Sequence, residues 1–351
     1  MSEICLLPGP VTLSSAVRTA MQQPVLYHRG SEFLALFDRV RRQLSDLVGG
    51  RDVALFPGSG TVANDVVAAT LAAGSATRGL ILENGEFGRR LVAQARRFGL
   101  EPRVLSWPWG CPWNLDEIAS ALDEAVPGSW VWGVHHETST GLLNDLAGLI
   151  RLAKSRGVRV CLDAVSSIGG QPLDLSEVFL STGTSGKALG ACSGIALVFG
   201  DRDELDNSNS ARVPTSLDLV ASLNHAGPRF TFPSPPLQAL AAALQCYDSS
   251  AKATERFHDY TALGCFVRRE LRGLGLAPLA EDSHASSTVT TFAVPDGGDS
   301  DGFVERCQRA GFLIGGQSAY LAERRLVQIA TMGAVTQADC RAFFESLAQF
   351  A

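Results

Sequence analysis

Through the first 245 residues, short apolar runs alternate with stretches whose apolar residues recur at three-and-four spacing. The runs Val53–Phe56, Gly79–Leu82, Arg103–Ser106, Trp130–Val134, Val158–Leu162, Val178–Ser181 and Ile195–Phe199 read as strands. Between several of them, Val62–Leu71, Arg89–Phe98, Leu115–Ala125 and Leu146–Ser155 read as helices. This alternation predicts an α/β fold, with a mainly parallel seven-stranded sheet covered by helices on both faces. In such sheets ligands bind at the loops beyond the carboxyl ends of the strands.

The polar stretch Asp201–Arg212 is expected to be a solvated loop, and Pro236–Leu274 reads as one long helical pattern. The rhythm then changes. Ser287–Val294 and Arg325–Thr331 look like strands, whereas Asp301–Ala310 and Thr336–Phe350 look like helices. The expected organisation is a large α/β domain over residues 1–245, including the N-terminal segment, and a smaller C-terminal α+β domain over 246–351. There is no internal repeat and no low-complexity tract.

Composition narrows the partners more than it changes the fold. Of 351 residues, 46% are hydrophobic and 19% charged, as in an ordinary folded protein. A formal charge of -6 disfavours nucleic acid and anionic membranes, which select basic surfaces. The apolar runs are too short or too interrupted to span a bilayer, and MSEICLLPGP lacks the features of a signal peptide. The eight cysteines form no CxxC pair; without an export signal, reduced and mostly buried thiols in a cytoplasmic protein are expected.

Five features fall at predicted strand ends. Pro57-Gly58-Ser59-Gly60-Thr61 opens a helix and offers hydroxyls and free amides to a phosphate. Asn84-Gly85-Glu86-Phe87-Gly88 presents an aromatic ring, and His135-His136-Glu137-Thr138-Ser139-Thr140-Gly141 a hydroxyl cluster. Asp163-Ala164-Val165-Ser166-Ser167 brings an acid, and Thr182-Gly183-Thr184-Ser185-Gly186-Lys187 a lysine. Singly, each fits a plainer role: a connecting turn, a helix cap, a core ring, a solvated lysine. Their co-occurrence meets the demands of pyridoxal 5'-phosphate, which needs a lysine amine, a carboxylate for the pyridine nitrogen, an anion cradle and covers for both ring faces. Lys187, Asp163, Ser59-Gly60-Thr61, Phe87 and Val165 fill those places. His135 and His136 point to opposite sides of a strand, and no histidine spacing suits zinc, so no metal site is expected.

On these motifs the chain resembles the class V aminotransferases of fold type I, most nearly the 2-aminoethylphosphonate–pyruvate transaminases and more distantly the alanine–glyoxylate transaminases. The resemblance runs from Leu7-Pro8-Gly9-Pro10 to Thr331-Met332-Gly333 and includes His28-Arg29, Glu32-Phe33, Gly169-Gly170 and Arg229-Phe230-Thr231. It implies that Lys187 is catalytic and carries the cofactor, and that Ser59, Gly60 and Thr61 bind its phosphate. It implies that Phe87 and Val165 cover the ring, that Thr138 meets the ring hydroxyl and Asp163 the ring nitrogen. Thr231 would reach the phosphate of a neighbouring subunit, which implies a homodimer with sites at its interface. His28 and Arg29 would lie near the substrate entrance.

Two positions depart from the family. Gly186 stands where relatives carry Gln, Asn or His, with Thr184 or Ser185 as the nearest replacement. Gln328 stands where relatives have the arginine that grips the substrate's acid group, a charged two-pronged hold that an amide does not reproduce. Either another cation compensates (Arg29, Arg229, Arg324 or Arg325) or the substrate or reaction has changed. The expected activity is transfer of an amino group from a small amino compound to a keto acid or aldehyde. A lyase on the same cofactor is the alternative, and a non-catalytic binding protein comes last.

Overall fold

The structure is a computed structural model describing residues 3–74, 78–126, 128–205 and 211–349. All seven expected strands lie in one sheet, in the order Asp52–Gly58, Gly194–Gly200, Leu180–Thr184, Arg159–Asp163, Trp130–Val134, Gly79–Glu83, Arg103–Ser106. Gly194–Gly200 runs antiparallel to both neighbours, and every other pairing is parallel. The sheet is therefore mixed, with one reversed strand.

Side chains alternate across each strand and build a core on either face. Leu55, Leu82, Val131, Leu162 and Leu197 share a cluster with Phe33 and Phe37 of helix Ser31–Leu47 and with Leu237 and Leu240 of helix Ser234–Ala243. Their sequence neighbours Phe56, Ile81, Trp132, Cys161 and Val198 face the other way, toward Val66 and Val67 of helix Gly60–Ala73 and Leu91 of helix Glu86–Arg97. A third cluster joins Leu6, Phe266, Phe303, Phe312 and Phe343 around the antiparallel pair Val289–Ala293 and Leu326–Ala330.

Several expectations need correction. Pro236–Leu274 is not one helix: Ser234–Ala243 passes through a 3-10 turn at Leu244–Tyr247 before Ser250–Gly273 begins. Ser249 is extended and its hydroxyl accepts the Lys252 amide at 3.3 Å, an N-cap that restarts the helix. Within Asp201–Arg212, residues 206–210 lie outside the described residues, and Arg202–Glu204 form a 3-10 turn. All eight cysteines are free, but only Cys161, Cys307 and Cys340 are buried. No described helix is long and apolar enough to cross a membrane.

The N-terminal segment sits on the C-terminal elements. Ile4–Leu6 pairs in parallel with Phe312–Ile314, and Thr12 bridges to Gly333. This carries Pro8-Gly9-Pro10 across to the carboxyl ends of the main strands, where the Pro8 carbonyl accepts the Lys187 amine at 2.5 Å.

Leu6 is wholly buried in the third cluster, so removing its side chain leaves a cavity. Leu6→Ala should cost about 2–5 kcal/mol in denaturant unfolding. A loss below about 0.5 kcal/mol, the scale of surface substitutions, would show that the segment is not part of this core.

Candidate functional site

A cavity of about 560 Å³ opens at the carboxyl ends of the main strands. Ser59, Gly60, Thr61, Phe87, Thr138, Asp163, Val165 and Lys187 all line it. Eight of the nine cofactor-contacting positions expected from the sequence thus converge on one space. Thr231 does not. It is exposed and lines a separate recess of about 480 Å³ with Arg229 and Phe230.

Ser59 precedes helix Gly60–Ala73 in extended backbone, and its side chain makes no cap bond, leaving first-turn amides open to an anion. A Cβ on Gly60 would come within 2.6 Å of Val165 Cγ1, so only glycine lets the helix start this close to the valine. Asp163 ends its strand buried. Its Oδ1 accepts the Val165 amide at 2.9 Å and its Oδ2 accepts the Asn64 amide group at 2.8 Å. Burial raises the Asp163 carboxyl above its ordinary range, while the Asn64 and Val165 bonds and the Lys187 charge pull it back. Burial lowers the Lys187 amine to about 8, against the opposing attraction of Asp163.

The loop from His136 to Gly141 is held from beneath by Glu137, which is fully buried. Its carboxylate accepts the Phe87 and Gly88 amides at 3.3 and 3.0 Å, and the Ser139 amide and hydroxyl at 3.2 and 2.5 Å. One acid thus fixes both the start of the Phe87 helix and the loop bearing Thr138. Burial is the dominant influence and pushes Glu137 up to about 7. Thr138 donates to Ser166 Oγ at 2.6 Å.

His135 and His136 face apart, as strand geometry requires. His136 lines the cavity, with Nδ1 3.2 Å from the Ser166 carbonyl, whereas His135 Nδ1 meets Ser167 Oγ at 3.1 Å and borders a different recess. Burial lowers them to about 4 and about 3, so both rings are neutral near pH 7. Among the described residues no group of three or more His, Cys, Asp or Glu is placed to hold a metal ion.

The expected substrate residues are not gathered here within one chain. His28 is half-buried, Arg29 is exposed, and neither lines the cavity. Gln328 is completely buried outside it, its Nε2 donating to the Thr138 carbonyl and, at 2.9 Å, to Thr291 Oγ1. Arg229 donates to the Thr215 carbonyl, Arg324 stacks on Trp109, and Arg325 bonds the Gly297 carbonyl. The cavity-lining arginines are instead Arg90 and Arg97, on the same helix as Phe87.

Gly186 also has a physical reason. A Cβ there would lie 2.3 Å from Ser193 Oγ and 2.7 Å from Ser193 Cα. Ser185 is engaged by the Cys192 carbonyl and the Ile195 amide, while Thr184 and Ser193 line the cavity. Sequence reasoning missed Ser193, Asn64, Arg90, Arg97, Gly9, Pro10 and His136 as wall residues. The Pro-Gly-Pro segment and the helical spacing of 87, 90, 94 and 97 were signals for some of them.

Residues 15–293 match the family Aminotransferase class-V. A 2-aminoethylphosphonate–pyruvate transaminase of Vibrio cholerae is 30% identical over 89% of this chain and 88% of its own length. The alanine–glyoxylate aminotransferase structure from Nostoc superposes with a TM-score of 0.87 at 27% identity, covering 99% of this chain and 95% of the other. The pyridoxamine–pyruvate aminotransferase of Mesorhizobium loti shares the fold at a TM-score of 0.88 and 22% identity, covering 99% and 92%. With a family match across most of its length and this fold from end to end, the chain belongs to the class V aminotransferases of fold type I.

Proposed function

We propose that the enzyme uses pyridoxal 5'-phosphate to transfer an amino group from a small amino compound to a keto acid or aldehyde. The observation that carries this reading is the meeting of an anion cradle, an aromatic ring, a buried acid and a buried lysine in one cavity. The donor set fits the cofactor. Ser59 and Thr61 offer hydroxyls beside a helix N-terminus, and His136 Nε2 is buried on the cavity wall with no hydrogen-bond partner among the described residues.

When bound, the cofactor supplies an aldehyde for a lysine amine and a protonated ring that draws electrons from the substrate carbon. Ser59, Gly60 and Thr61 would hold its phosphate, Phe87 and Val165 would cover the two ring faces, and Thr138 would meet the ring hydroxyl. Asp163 would keep the ring nitrogen protonated. Lys187 Nζ would bind the aldehyde, be displaced by the amino substrate, and then take the proton from the substrate carbon and deliver it to the cofactor carbon that had carried the aldehyde. With its amine lowered to about 8, a useful fraction is neutral and basic near neutral pH.

A lyase would need the same lysine and acid but no acceptor, and the transaminase names of the relatives support transfer instead. The compounds in the name of the Vibrio cholerae relative, 2-aminoethylphosphonate and pyruvate, are the first donor and acceptor to try. We place the enzyme in the cytoplasm as a homodimer, with Thr231 of each subunit serving its neighbour; the exposure of Thr231 and Phe230 supports this. His28 and Arg29, also outside the cavity, would approach it in the same way. Apart from Ile4 and Leu6, the residues of the third cluster lie at 263 and beyond, which supports a separate C-terminal unit.

Purified protein mixed with donor should change its visible absorption, and the keto acid should reverse the change. Ammonia release without any acceptor would overturn transfer in favour of elimination. Lys187→Ala should lose its visible band and at least about a thousandfold in turnover, the scale of losing a general base; an unchanged spectrum would sink the reading.

Glu137 gives a pH prediction. Its folded pKa, about 7, exceeds its ordinary 4.5, so its stabilisation is complete below 4.5 and is lost as pH rises through about 7. The cofactor-free wild type should therefore lose stability relative to Glu137→Gln across that window, by up to a few kcal/mol, on the order set by the shift. Parallel denaturation curves from pH 4 to 8 check it, and a constant difference would refute it.

A further inference from the structure

Asn64 is nearly buried, lines the cavity and lies on the helix whose start forms the anion cradle. Its Nδ2 donates to Asp163 Oδ2 at 2.8 Å, and its Oδ1 accepts the Thr182 hydroxyl at 2.9 Å. Asp163 and Thr182 are direct partners on neighbouring parallel strands, and Asn64 closes a triangle over them from the covering helix. The amide's orientation follows from chemistry. An ionised carboxylate accepts but does not donate, so the nitrogen must face Asp163, and Thr182 then donates to the oxygen.

We propose that Asn64, set by Thr182, is a positioning residue that holds Asp163 ionised and oriented for the cofactor's ring nitrogen. This rests on the function proposed above. A buried amide is costly unless it is bonded, and both polar ends of Asn64 are bonded, the nitrogen to Asp163 and the oxygen to Thr182. Burial drives the Asp163 carboxyl toward its neutral form, and among the opposing influences the Asn64 bond is the largest, ahead of the Val165 amide and the Lys187 charge. Lys187 is the charged group acting on Asp163, and Arg90 acts in turn on Lys187. A neutral acid would no longer balance a protonated ring. Thr182 is wholly buried and its hydroxyl bonds Asn64, which makes that hydroxyl a second handle on the same relay.

The test uses the full-length protein as wild type, Asn64→Leu, Thr182→Val and the double variant, each loaded with pyridoxal 5'-phosphate. Cofactor dissociation constants and the pH dependence of the visible band are read, with thermal melts as a control for folding. Asn64→Leu should weaken cofactor retention about ten- to a hundredfold, the worth of one hydrogen bond to a charged group, and move the acid limb of the profile up by about one unit. Thr182→Val should move both in the same direction by less, and the double variant should resemble Asn64→Leu rather than sum the two. Retention within about twofold of wild type and an unmoved acid limb in Asn64→Leu would overturn the inference. If Asn64→Leu does not fold, Thr182→Val decides by the same two readings. Wild type that takes up no cofactor would instead remove the functional reading itself, an outcome separate from unaltered variants of a loaded enzyme.

Discussion

Asp163 and Lys187 stand at neighbouring strand ends, where burial makes each harder to ionise than in water. Each offsets part of that penalty for the other, and the site depends on this balance. In the proposed chemistry a carboxyl left neutral could not hold a ring proton, and a lysine left fully charged could not act as a nucleophile or base. Strands Arg159–Asp163 and Leu180–Thr184 bring both groups to one edge because these two neighbours run parallel, and helices Gly60–Ala73 and Glu86–Arg97 begin at the same edge. The meeting of Ser59–Thr61, Asp163 and Lys187 is in this sense one consequence of topology.

The walls of the cavity come from parts of the chain far apart in sequence, and polar ties hold them in register. Glu137 links the Phe87 helix to the Thr138 loop. Gln328 links that loop to the C-terminal sheet through the Thr138 carbonyl and Thr291. Strand Ile4–Leu6, added to the C-terminal elements, carries Pro8 onto Lys187. A shift of the C-terminal elements would therefore be felt in the cavity at two points, at Lys187 through Pro8 and at Thr138 through Gln328.

The sheet was legible because its strands are continuous apolar runs ending in small or polar residues, as in VWGVHHE and VCLDAVS. The antiparallel course of Gly194–Gly200 was not, since a run buried on both faces has the same pattern in either direction. Helix Ser31–Leu47 carries buried residues at 33, 36, 37, 40 and 44, a spacing that identifies it although a strand-led reading passes it by. In the candidate site, residue types at strand ends pointed to Asp163, Lys187 and the Ser59–Thr61 turn, which meet in one cavity. Asn64 was invisible because a helical Asn announces no partner, and its bond to Asp163 spans 99 positions. Arg229, Arg324 and Arg325 could be weighed as cations but not located, because exposure and stacking are tertiary facts.

Gln328 shows how location changes the meaning of a substitution. Read as a missing arginine, it suggests a lost grip on the substrate. In the structure its amide hydrogens are spent on Thr138 and Thr291, and it stands behind the loop rather than in the cavity. Within one chain the arginines of the cavity wall lie instead on helix Glu86–Arg97. There Arg90 bonds Glu86 at 2.9 Å and sits over the rings of Phe87 and Tyr320. Arg97, two turns further on, is about 10 Å away along the axis. The two cations therefore occupy separate points on the wall that also bears Phe87, so an anionic group entering from this chain's side meets its charge beside the ring cover and not on the C-terminal strand.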